Sequence, residues 1–246
     1  MPSAASSPTS VVLRADEPSR SWSVCVLTRG FADDLERCVW SAMRWMPDEA
    51  EVLVLEQGSD DKTASRVRAV GARDRVRVVL ADRDLGEGAG RNALLRIARG
   101  ALVLQLDPSV EITGDLFGVL AEALRPTAVG AAGPWGLRAV DHLKQWDEIK
   151  SGVCDAVQGY CFATRREPLL AIGGFDDRYR FYRNLDIATS LALRERGLRA
   201  VAAGEGRVAR HAHRAWERLE DEEREKRSRR NYDRLVKRFA GLGVGT

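Results

Sequence analysis

The sequence predicts an α/β fold built on a mostly parallel sheet, and three observations carry that expectation. Apolar runs of strand length, SWSVCVL, EVLVL, VRVVL and ALVLQL, alternate with helical patterns through the first half of the chain. They show none of the in/out alternation of a sheet with one wet face, so both faces of the sheet are expected to be covered by helices. Two of the runs stop at an acidic residue, Glu56 and Asp107, which sets carboxylates at the carboxyl edge of the sheet, where open α/β folds bind ligands.

The elements follow in order. After strand SWSVCVL, residues 33–45 read as a helix, with Leu35, Cys38, Val39, Ala42 and Met43 on one face and Pro47 ending it. EVLVL leads through QGSDD into a helix around 63–70, VRVVL is a third strand, GAGRNALLRIARG a third helix closed by Gly100, and ALVLQL a fourth strand. Beyond Gly114 come a helix to Leu124, the polar segment DHLKQWDEIKS, an apolar strand near 153–164 and the turn IGGFDDRYRFYRN. Helix LDIATSLALRERG, strand LRAVAA, HAHRAW and one long charged helix over 214–239 complete the chain. Residues 1–20, rich in Ser, Pro and Ala, read as a disordered leader.

With 246 residues, 44% of them hydrophobic, the chain can bury a full core, and one domain is expected. A net charge of only +3 demands neither nucleic acid nor a membrane as partner. Cys25, Cys38, Cys154 and Cys161 form no C-x-x-C pair and read as reduced, buried thiols of a cytoplasmic protein. No apolar run approaches the ~20 residues that cross a bilayer, and the start lacks the apolar core of a secretory signal.

The segments SVCVLTRG, LVLEQGSDDKT, GEGAGRN, LQLDPSV, GGFDDRY and NLD, in that order over residues 21–197, resemble the successive motifs of a family 2 glycosyltransferase with the GT-A fold. The resemblance implies one GT-A domain over 21–213, with a donor half (21–113) and an acceptor half (114–213), followed by a charged helix and tail over 214–246. It implies transfer of a sugar, with inversion, from a nucleoside-diphosphate donor to an acceptor that the sequence does not name. A divalent cation, Mg²⁺ or Mn²⁺, is implied as well. Two rivals stand beside it: a nucleotide-sugar-binding protein without catalysis, and a nucleotidyltransferase. The second would want a glycine-rich loop ending in a basic residue where Thr28-Arg29-Gly30-Phe31 stands.

What the resemblance implies is carried residue by residue. Thr28 and Arg29 follow the first strand, and Glu56 stands where the family carries an aspartate that meets the base; QGSDD would also serve as a plain turn and helix cap. Gly86, Arg91 and Asn92 of GEGAGRN fall near the donor, the glycines opening a helix N-terminus that favours an anion. Asp107 falls on the acidic motif that holds the cation on the donor diphosphate, with Ser109 or Glu111 in place of its second acid. His213 of His211-Ala212-His213 is expected as a further ligand, the alternative being a polar turn. The acidic pair that follows the G-G-F-D-E motif is replaced by Arg183-Asn184, which leaves Asp186, then Asp177, as candidate general base; Asp186 would also complement a helix dipole. Trp135, Trp146, Tyr160 and Tyr182 are candidates for stacking on the acceptor. The tail helix offers an interrupted apolar stripe for the body or for a homodimer.

Overall fold

The computed structural model describes residues 21–244, so the leader expected over 1–20 lies outside the described residues. The first half runs β1 (Trp22–Thr28), α1 (Ala32–Trp45), β2 (Glu51–Gln57), α2 (Asp61–Val70), β3 (Val76–Ala81), α3 (Glu87–Ile97) and β4 (Leu102–Leu106). Its four strands are parallel, in the spatial order β3-β2-β1-β4. Their carboxyl ends lie level, with Thr28 opposite Glu56 and Val26 opposite Leu106.

The second half runs β5 (Val110–Ile112), α4 (Leu116–Ala123), β6 (Val129–Gly133), β7 (Gly136–Asp141), β8 (Gln145–Ile149), β9 (Gly152–Cys154), β10 (Ala156–Val157) and β11 (Cys161–Arg165). Then come α5 (Arg166–Ala171), α6 (Leu185–Arg194), β12 (Arg199–Ala202), β13 (Val208–Arg210), α7 (Arg214–Glu217) and α8 (Asp221–Phe239). The main sheet has eight strands in the order β3-β2-β1-β4-β11-β6-β12-β9, with β11 and β9 antiparallel to their neighbours. A three-stranded sheet (β10-β7-β8) and the pair β13-β5 lie beside it.

Side chains alternate across the sheet, but both faces are apolar, which is why the strands show no polar alternation. Val24, Val26, Val52, Val54 and Leu104 pack under α1 and α4. Cys25, Leu53, Leu55 and Val103 pack under α3, α6 and α8. Each such side chain, fully buried, is worth roughly 1.5–3 kcal/mol. All four cysteines are buried and unpaired.

Four expectations need correction. The polar segment after Gly136 is the β7–β8 hairpin, and the strand near 153–164 is three short strands, β9 on β12, β10 on β7 and β11 between β4 and β6. Gly100 does not close α3, which ends at Ile97; its N–H donates to Ser23 Oγ (2.8 Å), and a Cβ there would lie 2.6 Å from the Ser23 nitrogen. The tail is two helices, broken at 218–220. The apolar stripe of α8 is taken up by the chain's own body, with Leu235 and Phe239 buried in the same cluster as α6. Among the described residues no helix is long and apolar enough to cross a membrane.

Candidate active site

The carboxyl ends of β1, β2 and β4 open into a cleft of ≈ 210 Å³, closed from the far side by the 180–182 segment and α7. Thr28 ends β1 with its hydroxyl on Gly30 O (3.1 Å), and Arg29 reaches Asp84, 2.8 Å away on the loop after β3. Phe31, in the left-handed region (φ 54), starts α1 and is covered by the guanidinium groups of Arg214 and Arg218. Arg214 of α7 bonds Asp34 of α1 (2.6 Å), which ties α7 across the mouth.

Asp107 stands directly after β4, its N–H held by Tyr160 O (2.8 Å). Ser109 gives both its N–H (2.8 Å) and its hydroxyl (2.5 Å) to Asp107 Oδ1. Oδ2 faces His213 Nε2 at 3.4 Å. Burial works to raise the Asp107 pKa, but His213 and the Ser109 hydrogen bonds outweigh it and hold the carboxyl below its ordinary range. Burial works in turn to lower that of His213, and the Asp107 contact reverses this and pushes it up. Glu87, at the start of α3, lines the same cleft; its carboxyl is pushed up by burial and by Asp107, against the pull of Arg91.

A second cleft, of ≈ 260 Å³, opens on the other side of Asp107 and Tyr182, both of which line the two clefts. Asp186, in the first turn of α6, forms part of its wall, with Oδ2 accepting from Gly159 N–H (2.8 Å) and Oδ1 from Ile187 N–H (2.9 Å). Burial pushes the Asp186 carboxyl up, despite those two bonds. The 158–160 loop thus separates the two carboxylates, Gly159 holding Asp186 and Tyr160 holding Asp107. Arg91 lines this cleft together with Trp146, Tyr160 and Tyr182. Trp135 packs edge-on against Tyr160 instead, behind the wall.

Several expected residues serve elsewhere. Glu56 is inside β2, 2% exposed, and its Oε1 accepts from Ser59 N–H (2.8 Å), so it fixes the turn while Gln57 and Asp84 line the cleft. Gly86 (φ 85) and the next residues do not present free N–H groups to an anion: Glu87 and Gly88 donate to Arg180 O (3.3 Å) and Tyr179 O (2.9 Å). The glycines admit another stretch of backbone, not a ligand; a Cβ on Gly88 would lie 2.2 Å from Asp176 O. Asn92 is a clamp, bonded to both backbone groups of Phe175 (2.7 and 2.9 Å) and to the Asp177 carboxylate. Neither Asn92 nor Asp177 lines either cleft. Glu111 turns to His211 (2.8 Å).

Among the described residues no three His, Cys, Asp or Glu side chains gather as a metal cluster. A hard cation needs fewer when a substrate's phosphates complete its shell, and a carboxylate facing an imidazole in an open cleft fits that use. Trp216 N–H is shared between His213 O (2.8 Å) and Nδ1 (3.1 Å), which leaves Nε2 facing Asp107; that nitrogen would have to give up any proton it carries before it could ligate a cation.

The pattern of glycosyl transferase family 2 matches residues 23–185. The chain belongs to that family. No curated protein matches this family 2 chain in sequence. Among solved structures it is similar to GalNAc-T7 with UDP, GalNAc and Mn²⁺, at 18% identity and a TM-score of 0.73 over 90% of this chain and 48% of that one. It is also similar to the mannosyltransferase PcManGT from Pyrobaculum calidifontis in complex with GDP-Man and Mn²⁺, at 19% identity and a TM-score of 0.62 over 93% and 77%. The chain spans about half the length of the first. These likenesses show the GT-A fold for this family 2 chain.

Asp84 and Glu87 were not singled out from the sequence. Asp84 was open to the rule that flagged Glu56 and Asp107, since a third apolar strand also ends near acids, ADRD. Glu87 gives no such signal, because its value comes from burial beside Asp107 and Arg91.

Proposed function

We propose that this chain transfers a glycosyl group, with inversion, from a nucleoside-diphosphate sugar to a hydroxyl-bearing acceptor. The observation that carries the reading is that Asp107 lines two clefts at once, one holding His213 and the other holding Asp186. In support, two structures of the same fold are described with a nucleoside diphosphate or its sugar and Mn²⁺.

The donor's base and ribose would lie towards Thr28, Arg29 and Asp84, its diphosphate beside Asp107 and His213, and its sugar past Asp107 into the second cleft. A divalent cation held by Asp107 and His213 would supply neutralisation of charge on the departing diphosphate. Asp186 takes the proton of the acceptor hydroxyl as that oxygen bonds to the anomeric carbon. The bond from that carbon to the diphosphate breaks on the opposite face, and the nucleoside diphosphate leaves through the first cleft. Tyr182, packed on His213 at 4.7 Å between ring centres, stands between the two clefts and orients the sugar. The reading treats residues 21–213 as one catalytic unit, with donor half 21–113 and acceptor half 114–213.

A donor screen with UDP-, GDP- and dTDP-sugars and Mn²⁺, followed by Asp186→Asn on the best donor, tests it. Loss of a positioned general base lowers turnover ~10²- to 10⁴-fold while donor affinity stays near wild type. Tight donor binding without transfer or hydrolysis across a broad acceptor panel would favour a nucleotide-sugar-binding protein, and Arg183-Asn184 in place of an acidic pair would be the reason.

A further inference from the structure

A second groove, of ≈ 310 Å³, lies between α8 and the 178–181 segment and shares Asp84, Arg180, Phe181 and Arg227 with the donor cleft. Six cations line it, Arg178, Arg180, Lys226, Arg227, Arg230 and Arg234, against only two carboxylates, Asp84 and Glu223.

Their partners divide them. Arg178 is committed to Asp176 (2.6 Å), and Arg227 and Lys226 share Glu223 (2.6 and 3.9 Å). Asp84 is committed to Arg29 (2.8 Å). Among the described residues Arg180, Arg230 and Arg234 have no carboxylate within ion-pair reach; Arg180 meets Asp84 O (3.1 Å), and Arg234 meets Arg230 O (3.4 Å) and Asn231 Oδ1 (3.2 Å). Arg227, Arg230 and Arg234 are spaced three and four apart, which stacks them on one face of α8, where like charges repel. Guanidinium groups converging on a concave space match a phosphate's paired oxygens, and an anion there would remove the repulsion.

We propose that this groove is a second anion site, apart from the position beside Asp107, for a small phosphate-bearing ligand of two or more negative charges. It stands on the groove's own cations and does not rest on glycosyl transfer. Asn231, 2% exposed, donates from Nδ2 to Phe181 O (2.7 Å) and Arg183 O (2.8 Å), so α8 carries the segment that holds Tyr182 between the two clefts. A ligand in the groove therefore bears on the donor cleft through a short, buried connection.

Calorimetry of the full chain with inorganic pyrophosphate in EDTA, where no cation can bridge the ligand to Asp107, tests the proposal. Wild type and Asp107→Asn should bind equally. Arg230→Gln with Arg234→Gln should bind at least about tenfold more weakly, with helical content by circular dichroism unchanged, since glutamine keeps the helix propensity of arginine. Absence of binding in EDTA, an unaffected double variant, or loss of binding in Asp107→Asn would each overturn it. Flotation with phosphatidylcholine vesicles containing phosphatidic acid separates the sources of phosphate. Vesicle binding lost in the double variant, without affinity for pyrophosphate, would replace the small ligand with a lipid headgroup.

Discussion

Asp107 and Asp186 are carboxylates on either side of one short loop, yet their surroundings pull their acidities in opposite directions. Asp107 stays ionised because charge and hydrogen bonds from His213 and Ser109 outweigh burial, as suits a group that meets a cation or a diphosphate. Asp107→Asn should therefore abolish cation-dependent binding of nucleoside diphosphate while leaving the fold intact, because the residue lies at the sheet edge; calorimetry with and without Mn²⁺ reads it. Asp186 has its pKa raised above the ordinary ~3.9, chiefly by burial. Its basic form is then populated only above the raised value, so turnover should fall on the acid side at a higher pH than an unshifted aspartate would give, and Asp186→Asn should remove that limb. The linkage sign is the reverse of a salt-bridged acid: a raised carboxyl contributes stability that is present at low pH and lost as pH rises through the folded value. Asp186→Asn relieves the buried charge at pH 7 but keeps one acceptor for the Gly159 and Ile187 N–H groups, so its melt, read beside its turnover, should fall by no more than the loss of one such bond, about 1–3 kcal/mol. Both positions were legible in the sequence because a strand end and a helix start fix where they fall. Glu56 was legible as a position but not as a direction: the turn's Ser59 N–H draws its side chain inward, and sequence spacing does not report that.

The elements around the site are joined by close backbone approaches that pattern alone does not show. The glycine-rich start of α3 reads as an anion cradle, yet its first N–H groups are taken by the carbonyls of Tyr179 and Arg180. Both readings need glycine, and only the tertiary neighbour distinguishes them. Gly88→Ala should separate α3 from the 176–177 turn, since the new methyl meets backbone atoms that cannot rotate away. Overpacking of this kind costs about 1–3 kcal/mol, and a chain of this size loses roughly 2–4 °C of melting temperature per kcal/mol. A melt unchanged from wild type would refute this packing. Asn231→Ala leaves the half-buried Phe181 and Arg183 carbonyls without their donor, at about 1–3 kcal/mol in total. It should weaken donor binding as well, because those carbonyls flank Tyr182. The break between α7 and α8 went unread because charge order suits one continuous helix, whereas Arg214 is drawn to Asp34 and the long helix to the body.

At the scale of the whole molecule, the half with local βα connections was legible throughout, whereas in the other half α4, α6 and β12 were legible as elements and the strand pairings were not. β1, β2 and β3 pair with their neighbours in sequence and β4 returns to pair with β1, all in parallel βα steps, while β11 inserts antiparallel between β4 and β6 and β9 joins the far edge through β12. Such pairings are set by contacts distant in sequence. The sheet, its two apolar faces and the α7 tie across the donor cleft are all built from protein groups, with Asp107 already paired to His213. Among the described residues no third His, Cys, Asp or Glu joins Asp107 and His213 as a metal cluster, and two such side chains are a weak cation site on their own. Thermal melts should show this as a coupling. In the Arg230→Gln with Arg234→Gln variant, which lacks two of the groove's cations, EDTA alone, Mn²⁺ alone and UDP or GDP in EDTA should each leave the melting temperature within about 2 °C, whereas Mn²⁺ with the matching nucleoside diphosphate should raise it. A ligand at 100 times its Kd adds about 2.7 kcal/mol, so the rise should be roughly 5–10 °C at ~2–4 °C per kcal/mol. A large drop in EDTA alone would make the cation structural, and an equal rise with nucleotide in EDTA would remove it from donor binding altogether.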